Sequence, residues 1–411
     1  MTLTNDQLSH AQLRRPLIPT DQRAVEPAAA RALGEDPDLL VYYFPQWHTD
    51  ELNSRMWGEG WTEWELLRRG QPQFDGHVQP KRPFWGETDE SDPATAARIV
   101  AAALDHGITG FIVDWYWFDN APFLNGFLDR GLLAADGIDD FRFGLMWANH
   151  DWNDLYPAVS SQPARMLPAP NSRYHAKTAA VHLIDTYFIH PSYYTVDGGK
   201  YFSVYDVMSF VEGLGGIEAA IQFLSWFRDE ARNRGAGELH LNAIVTPNIP
   251  NPGKLLGEIG FDSATNYTWW HHSPNGFDTL PTTTYDRAFA AAERTWESSH
   301  EFSIPYFPNV TMGWDPTPRT VEWDHASERG YPFTSVLVDN TPQNVGSATR
   351  AALLDAARSG SGIVTFNAWN EWTEGSYLEP DTEHEYGYLE EILTARQEVR
   401  QLLAADAQAA Q

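Results

Sequence analysis

Eight short apolar runs recur along this chain with amphipathic stretches between them, and that alternation limits the possible folds more sharply than any other feature. The runs are "LLVYYF" from Leu39, "GFIVDWYWF" from Gly110, "FRFGLMWAN" from Phe141 and "KYFSVYDV" from Lys200. They continue with "LHLNAIVTP" from Leu239, "FDSATNYT" from Phe261, "PYFPNVTMGWD" from Pro305 and "GIVTFNAWNEW" from Gly362. Several are almost unbroken in apolar residues before they turn polar, as strands covered on both faces are. Between them, "SDPATAARIVAAALDHG" offers Ser91 or Asp92 as a helix cap and Pro93 in the first turn; Ile99, Val100, Ala103 and Leu104 form a stripe, and Gly107 a stop. "GIEAAIQFLSWFRDEARNRG" and "SATRAALLDAARSGSG" repeat the pattern. Eight β-then-α units predict an α/β fold, a (β/α)8 TIM barrel with extended βα loops, because such a barrel needs about 250 residues and this chain has 411. The rival is a doubly wound open sheet, but no Gly-rich phosphate fingerprint follows the first run. Residues 1–37, rich in Pro, Ala and charge, read as an N-terminal arm, 38–396 as the barrel and 397–411 as a C-terminal helical tail.

A barrel of this kind works at the C-terminal ends of its strands. Polar groups follow the apolar residues in "YYFPQWH", "VDWYW", "LMWANHDW", "VYD", "TMGWD" and "NAWNEWTE", a bias that packing alone does not require. Composition narrows what such a mouth would bind. The formal charge of -28, from 56 acids against 28 bases, argues against nucleic acid or an anionic membrane as partner. No run is long enough to span a bilayer, and the start "MTLTNDQLSHAQLRRPLIPTDQ" lacks the apolar core of a secretory signal, so a cytoplasmic protein is expected. With 0 Cys, thiolate and disulfide chemistry are excluded. Aromatics are abundant (17 Trp, 17 Tyr, 21 Phe), and although aromatics also fill cores, many here sit among Asp, Asn and His. That mixture suits a polyhydroxylated ligand, with ring faces stacking on sugars and polar groups fixing hydroxyls.

Within "FNAWNEWTEGSYLEP", Glu371 ends the eighth run and Glu374 follows in the loop or first helical turn. Residues three apart share a face once the backbone coils. Two carboxyls in one aromatic cleft are the minimum equipment for glycoside hydrolysis, one delivering a proton and the other ionised. The alternative is that Glu374 and Glu379 merely satisfy N–H groups at a helix start. Tyr43, Trp61, Trp117, Trp147, Trp314 and Trp369 are candidate stacking platforms, and Glu63, Asp114, Asn149, His150, Asp315 and Asn370 candidate hydroxyl-binding groups. For the strand-end members of that set, a structural hydrogen bond is the competing role. His271 and His272 with Asp151 or Asp154 imitate a metal site, but no HxH or HExxH spacing supports one; no metal and no cofactor are expected.

The same segment resembles the signature of the glycoside hydrolase family 99-like proteins, a group also labelled glycosyltransferase WbsX and related to the endo-α-mannosidase family. The likeness extends to "WGEGWTEW" (57–64), "GHVQPKRP" (76–83), "HGITGFIVDWYWF" (106–118), "MWANHDW" (146–152) and "GWDPTPR" (313–319), in family order from Leu39 to Ile392. The resemblance implies a (β/α)8 barrel and, for the endo-α-mannosidase branch, retaining hydrolysis without metal. It implies further that Glu371 draws the proton from a sugar 2-OH, giving a 1,2-anhydro sugar, and that Glu374 is general acid/base. Such chemistry needs O2 trans to the leaving group, as in α-D-mannosides and α-L-rhamnosides. Against that pattern, Thr373 stands where the branch has His, His150 where an acid is common, and Asp114 and Trp115 where tyrosines are common. The expected partner is an oligosaccharide, with oligomeric state open. A glycosyltransferase of polysaccharide biosynthesis and a non-catalytic carbohydrate-binding protein are the alternatives; neither a phosphate-cradling loop nor a basic cluster supports the first.

Overall fold

The computed structural model describes residues 36–409 except 171, 273–276, 278 and 321–329; the expected N-terminal arm up to residue 35, and the side chains of His271 and His272, lie outside it. Each of the eight apolar runs forms a barrel strand. They are β1 (Asp38–Tyr43), β2 (Gly110–Phe118), β3 (Arg142–Trp147), β4 (Gly199–Val204), β5 (Leu239–Ile244) and β6 (Ser263–Thr265). The seventh, β7, is two segments, Tyr306–Phe307 and Asn309–Thr311, and β8 is Ile363–Asn367.

Every neighbouring pair is parallel, and the order closes from β1 through β8 back to β1. Closure passes through β7 in an unusual way. Pro308 has no N–H to give a ladder, so the strand is interrupted there. Tyr306–Phe307 pairs with β6 through Ala264↔Tyr306, and Asn309–Thr311 pairs with β8 through Asn309↔Thr365. The Pro308 carbonyl still accepts from the Thr365 N–H at 3.0 Å.

Strand parity divides the core. Leu40, Tyr42, Ile112, Met146, Tyr201, Ile244 and Tyr267 pack together along the axis, whereas Leu39, Val41, Phe111, Val113, Leu145 and Phe202 belong to the layer beneath the helices. This is the two-residue alternation of any strand, with both faces apolar because helices cover the outside. The helix Pro93–Asp105 shows how that cover is specified. Asp92 caps it by accepting from the Ala94 N–H, Pro93 occupies the first turn, and Ile99, Val100 and Ala103 are buried, while Leu104 lies at the edge. Gly107, at φ +77, lets the chain leave the helix and turn into β2. Emptying such a site, as in Ile99→Ala, costs about 2–5 kcal/mol. The helix Pro342–Ser359 begins five residues before the expected Ser347, because Thr341 caps it by accepting from the Asn344 N–H. The helix Gly387–Ala409 carries the chain through residue 397 without a break.

Long loops stand on the C-terminal ends of β1, β3, β7 and β8. The loop after β1 carries the short helices Glu51–Trp57 and Trp64–Arg69, and the loop after β3 carries a small hairpin pairing Trp152 with Leu167. Among the described residues no single helix is long and apolar enough to cross a membrane.

Candidate active site

A cavity of ≈ 290 Å³ opens at the C-terminal mouth of the barrel. Its floor holds Asp114, Met146 and Tyr267; its polar wall holds Arg319, Glu371 and Glu374. Tyr116, Trp152 and Tyr156 form an aromatic ladder beyond β2 and β3, with ring centroids 5.3 Å and 5.6 Å apart at successive steps. Across the ring, beyond β6 and β7, Trp270 stacks on Trp314 at 5.6 Å and 9°. Two facing aromatic walls above a polar floor are a suitable setting for a pyranose ring.

The two glutamates reach this cavity through a tight local fold. Asn370–Glu371 pairs antiparallel with Ser376–Tyr377, and the 3-10 turn Trp372–Glu374 closes the hairpin. Gly375 ends the turn at φ +65, and a Cβ there would sit 2.6 Å from the Asp315 Cβ, so the position requires glycine. The Asp315 N–H donates to the Glu374 carbonyl at 2.5 Å, fixing the turn to the chain beyond β7.

Arg319 organises the acids. Its Nη1 donates to Glu374 Oε1 at 2.5 Å and its Nη2 to Glu371 Oε2 at 3.3 Å. On the far side, Glu63 Oε1 lies 2.9 Å from Nε and 2.8 Å from Nη2, and the Thr373 hydroxyl accepts from Nε at 3.0 Å while donating to Glu63. Tyr331 completes the set, its oxygen 2.5 Å from Nη1 and its hydroxyl donating to Glu374 at 2.6 Å. The guanidinium also lies over Phe44, 5.4 Å from the ring centroid. It is 5% exposed, so its charge is countered almost entirely by these groups.

One cation among this many acids leaves an excess of carboxyls, and burial decides where protons stay. Burial, then the Glu374 charge, pushes the Glu371 carboxyl well above the usual range against the pull of Arg319. Burial likewise holds Asp114 well above it, although the Tyr267 hydroxyl lies 2.9 Å from Oδ2. Glu63 is raised by burial against the opposing pull of Arg319. His150 is lowered by burial, which keeps its imidazole neutral, and its Nδ1 sits 2.9 Å from the Asp151 carbonyl.

Of the residues expected to form a site, Glu371, Glu374, Asp114, His150 and Trp314 line the cavity. The others stand behind it. Tyr43, Trp117 and Trp147 fall on the outward parity of their strands: Tyr43 stacks on Phe127 at 3.6 Å, Trp117 on Trp115 at 5.4 Å, and Trp147 faces the helices. Trp369 packs on Phe111, and Trp61 on Tyr156 from outside the mouth. Asn149 is spent on both backbone groups of Asp206, and Asn370 on both backbone groups of Phe44. Asp315 accepts from His77 Nε2 at 2.8 Å and Gln79 Nε2 at 2.5 Å, and Glu63 touches the cavity only through Arg319. Sequence reasoning passed over Arg319, Tyr267 and Tyr331. Arg319 ends the quoted block "GWDPTPR", where a base closing a strand-end turn among acids was the available signal. Tyr267 lies on the inward parity of the sixth run; nothing local marks Tyr331.

The family described as Glycosyltransferase WbsX matches residues 39–392. The uncharacterized protein WxcX of Xanthomonas campestris pv. campestris (strain B100) is 28% identical over 406 residues, covering 93% of this chain and 53% of that protein. WxcX from strain ATCC 33913 gives the same identity and coverage. The chain thus spans about half the length of these curated relatives. In three dimensions it is similar to the GH99 endo-alpha-mannosidase from Bacteroides thetaiotaomicron, with a TM-score of 0.57 at 15% identity over 89% of this chain and 98% of that one. A structure described as a glycoside hydrolase-like protein gives a TM-score of 0.58 at 15% identity over 92% and 98%. At such identities these likenesses establish a shared barrel fold, whereas the family match over nearly the whole barrel establishes kinship: the chain belongs to the WbsX family.

Proposed function

We propose that this protein is a retaining glycoside hydrolase acting on 1,2-trans glycosides of manno configuration, an α-D-mannoside or α-L-rhamnoside within an oligosaccharide. The observation that carries the reading is the placement of Glu371 and Glu374 on one wall of the cavity, both reached by Arg319. Glu371 accepts the proton of the sugar 2-OH as O2 attacks C1, and Glu374 gives its proton to the departing oxygen as the C1–O bond breaks. The product of that step is a 1,2-anhydro sugar. Glu374 then takes a proton from water as the water oxygen attacks C1, and Glu371 returns its proton to O2 as the strained C1–O2 bond opens. Two inversions at C1 give net retention. Glu63 supports this scheme by matching the Arg319 charge from behind, so that the cation is not reserved for either catalytic acid.

The family's description favours a second reading, transfer from a sugar nucleotide. The charge of the cavity opposes it. Asp151, Glu371 and Glu374 line it, and Arg319 is the one Lys or Arg side chain among its described lining residues, an unfavourable place for a diphosphate. The discriminating experiment is product release by mass spectrometry from a panel of α-mannosyl and α-rhamnosyl oligosaccharides, with Glu374→Gln alongside. Cleavage of one member, lost in the variant, is the expected result. Turnover confined to 1,2-cis glycosides, or dependence on a sugar nucleotide, refutes the proposal.

A further inference from the structure

The floor of the cavity contains an arrangement that the two-glutamate scheme leaves unused. Tyr267 places one hydroxyl between two carboxyls, 2.9 Å from Asp114 Oδ2 and 3.3 Å from Glu371 Oε1. All three side chains are buried. A phenol carries one hydrogen, so it can donate to only one of these carboxyls while accepting from the other. The triplet is therefore satisfied when one carboxyl keeps a proton and the other is ionised. The surroundings of the two acids are unequal. Arg319 Nη2 stands 3.3 Å from Glu371 Oε2, whereas Asp114 has no ion pair among the described residues. Its Oδ1 is buried and without a hydrogen-bond partner in the structure.

We propose that Asp114, Tyr267 and Glu371 form one directed hydrogen-bond chain, in which Asp114 holds the proton and donates to Tyr267, and Tyr267 donates to Glu371. Asp114 and Tyr267 are then positioning residues: they keep Glu371 the ionised member of the pair and fix the orientation of its carboxylate. The role of Glu371 as the base for O2 rests on the glycosidase reading; the proton inventory does not. Among the other groups facing the chain, the cation decides the direction. Glu374 works to raise both Asp114 and Glu371, and Glu63 to raise Glu371, whereas Arg319 opposes them at Glu371 alone, and Tyr42, Tyr116 and Tyr205 present neutral hydroxyls around Asp114. Burial holds the carboxyls of both Asp114 and Glu371 well above the usual range, which suits a chain that keeps one proton, and the Arg319 contact at Glu371 assigns that proton to Asp114. The free Oδ1 remains as an acceptor for a substrate hydroxyl.

The test is infrared difference spectroscopy of the full chain at pH 7 without substrate, using Asp114→Asn and Glu371→Gln, with thermal melts to verify that each variant is folded. The expected result is a protonated-carboxyl band that disappears in Asp114→Asn and persists in Glu371→Gln. A band that is lost in Glu371→Gln, or that is unchanged in Asp114→Asn, overturns the direction of the chain. Tyr267→Phe supplies an independent arm on whichever glycoside the protein cleaves. Removing the donor to an ionised carboxylate should move the acid limb of kcat/KM upward by about one pH unit; an unmoved limb overturns the link. Should no glycoside be cleaved, the glycosidase reading fails while the infrared arm still decides the chain.

Discussion

Replacing Arg319 by methionine should destabilise the protein in a pH-dependent way. Methionine keeps the apolar stem of the arginine as far as the Nε position but removes the guanidinium from Glu63 at 2.8 Å, Glu374 at 2.5 Å and Glu371 at 3.3 Å. Removing one member of a buried ion pair costs about 3–5 kcal/mol, because the remaining charge stays desolvated. With an unfolding entropy near 2.1 cal/mol/K per residue, a chain of roughly 400 residues loses about 4–6 °C in Tm. The pH dependence follows from the sign of the shifts. Glu371 and Glu63 are already raised by burial, and Arg319 opposes that rise at both, so its removal raises them further. A carboxyl raised on folding binds more protons in the native state, so stability falls as pH climbs above the ordinary range near ~4.3. The deficit of Arg319→Met should therefore be full near pH 7–8 and shrink toward pH 4. Thermal melts of both proteins across that range provide the measurement. A deficit of constant size at every pH would refute the electrostatic reasoning and assign the loss to packing; no deficit at pH 8 would refute it outright.

Glu374→Gln should lower kcat by about 10²–10⁴-fold on an oligosaccharide, as loss of a general acid does. The first step should suffer far less on an aryl glycoside whose phenolate leaves without a proton, and comparing the two substrates in a burst assay checks this. Glu379, buried and pushed up to about 7, accepts from Trp372 Nε1 at 2.9 Å. Being raised, it lowers stability as pH rises from about 4.5 to about 7, so Glu379→Gln should gain roughly 1–3 kcal/mol relative to the parent between pH 4 and pH 8, read from urea midpoints. Asn370→Ala strands the N–H and carbonyl of Phe44, each 2.9 Å from the amide, and should cost about 2–4 kcal/mol in the same assay.

The fold was legible because each barrel strand is short and apolar, helical segments lie between the strands, and a closed parallel barrel is an arrangement that buries eight such strands on both faces. The break at Pro308 was legible in principle, since proline cannot donate to a ladder, but its consequence was not. Only the closed ring shows that β7 turns one segment toward β6 and the other toward β8. The site was read less evenly. Strand parity, counted along the runs, places Asp114 and Tyr116 on the same side as Ile112, where both line the cavity, and Trp115 and Trp117 with Val113 under the helices. Composition alone cannot make that separation, which is why Tyr43, Trp117 and Trp147 entered the candidate set beside Asp114. Asn149 and Asn370 illustrate a second limit. Both sit at strand ends, where a ligand group and a backbone clamp have the same local signature, and only a partner 57 or 326 residues away distinguishes them.

Distant pairing also explains the block "GHVQPKRP", which carries part of the family likeness although none of its residues lines the cavity. His77 and Gln79 both donate to Asp315 Oδ2, and the Thr317 N–H donates to Oδ1 at 3.2 Å. Burial alone would raise Asp315, but His77, Thr317 and Gln79 together hold it below the usual carboxylate range, so it remains ionised and these bonds remain charge-assisted. The backbone of the same residue donates to the Glu374 carbonyl, and there is no room for a Cβ on Gly313, which would meet the Gly375 carbonyl, or on Gly375, which would meet Asp315. A loop after β1 thus fixes the turn after β7, and that turn fixes the hairpin after β8 on which both glutamates stand. Arg319, four residues beyond Asp315 in the same turn, is delivered to them by the same construction. The catalytic geometry proposed here depends on three loops acting as one rigid unit, with the acids on one, the cation on another and the anchor on a third.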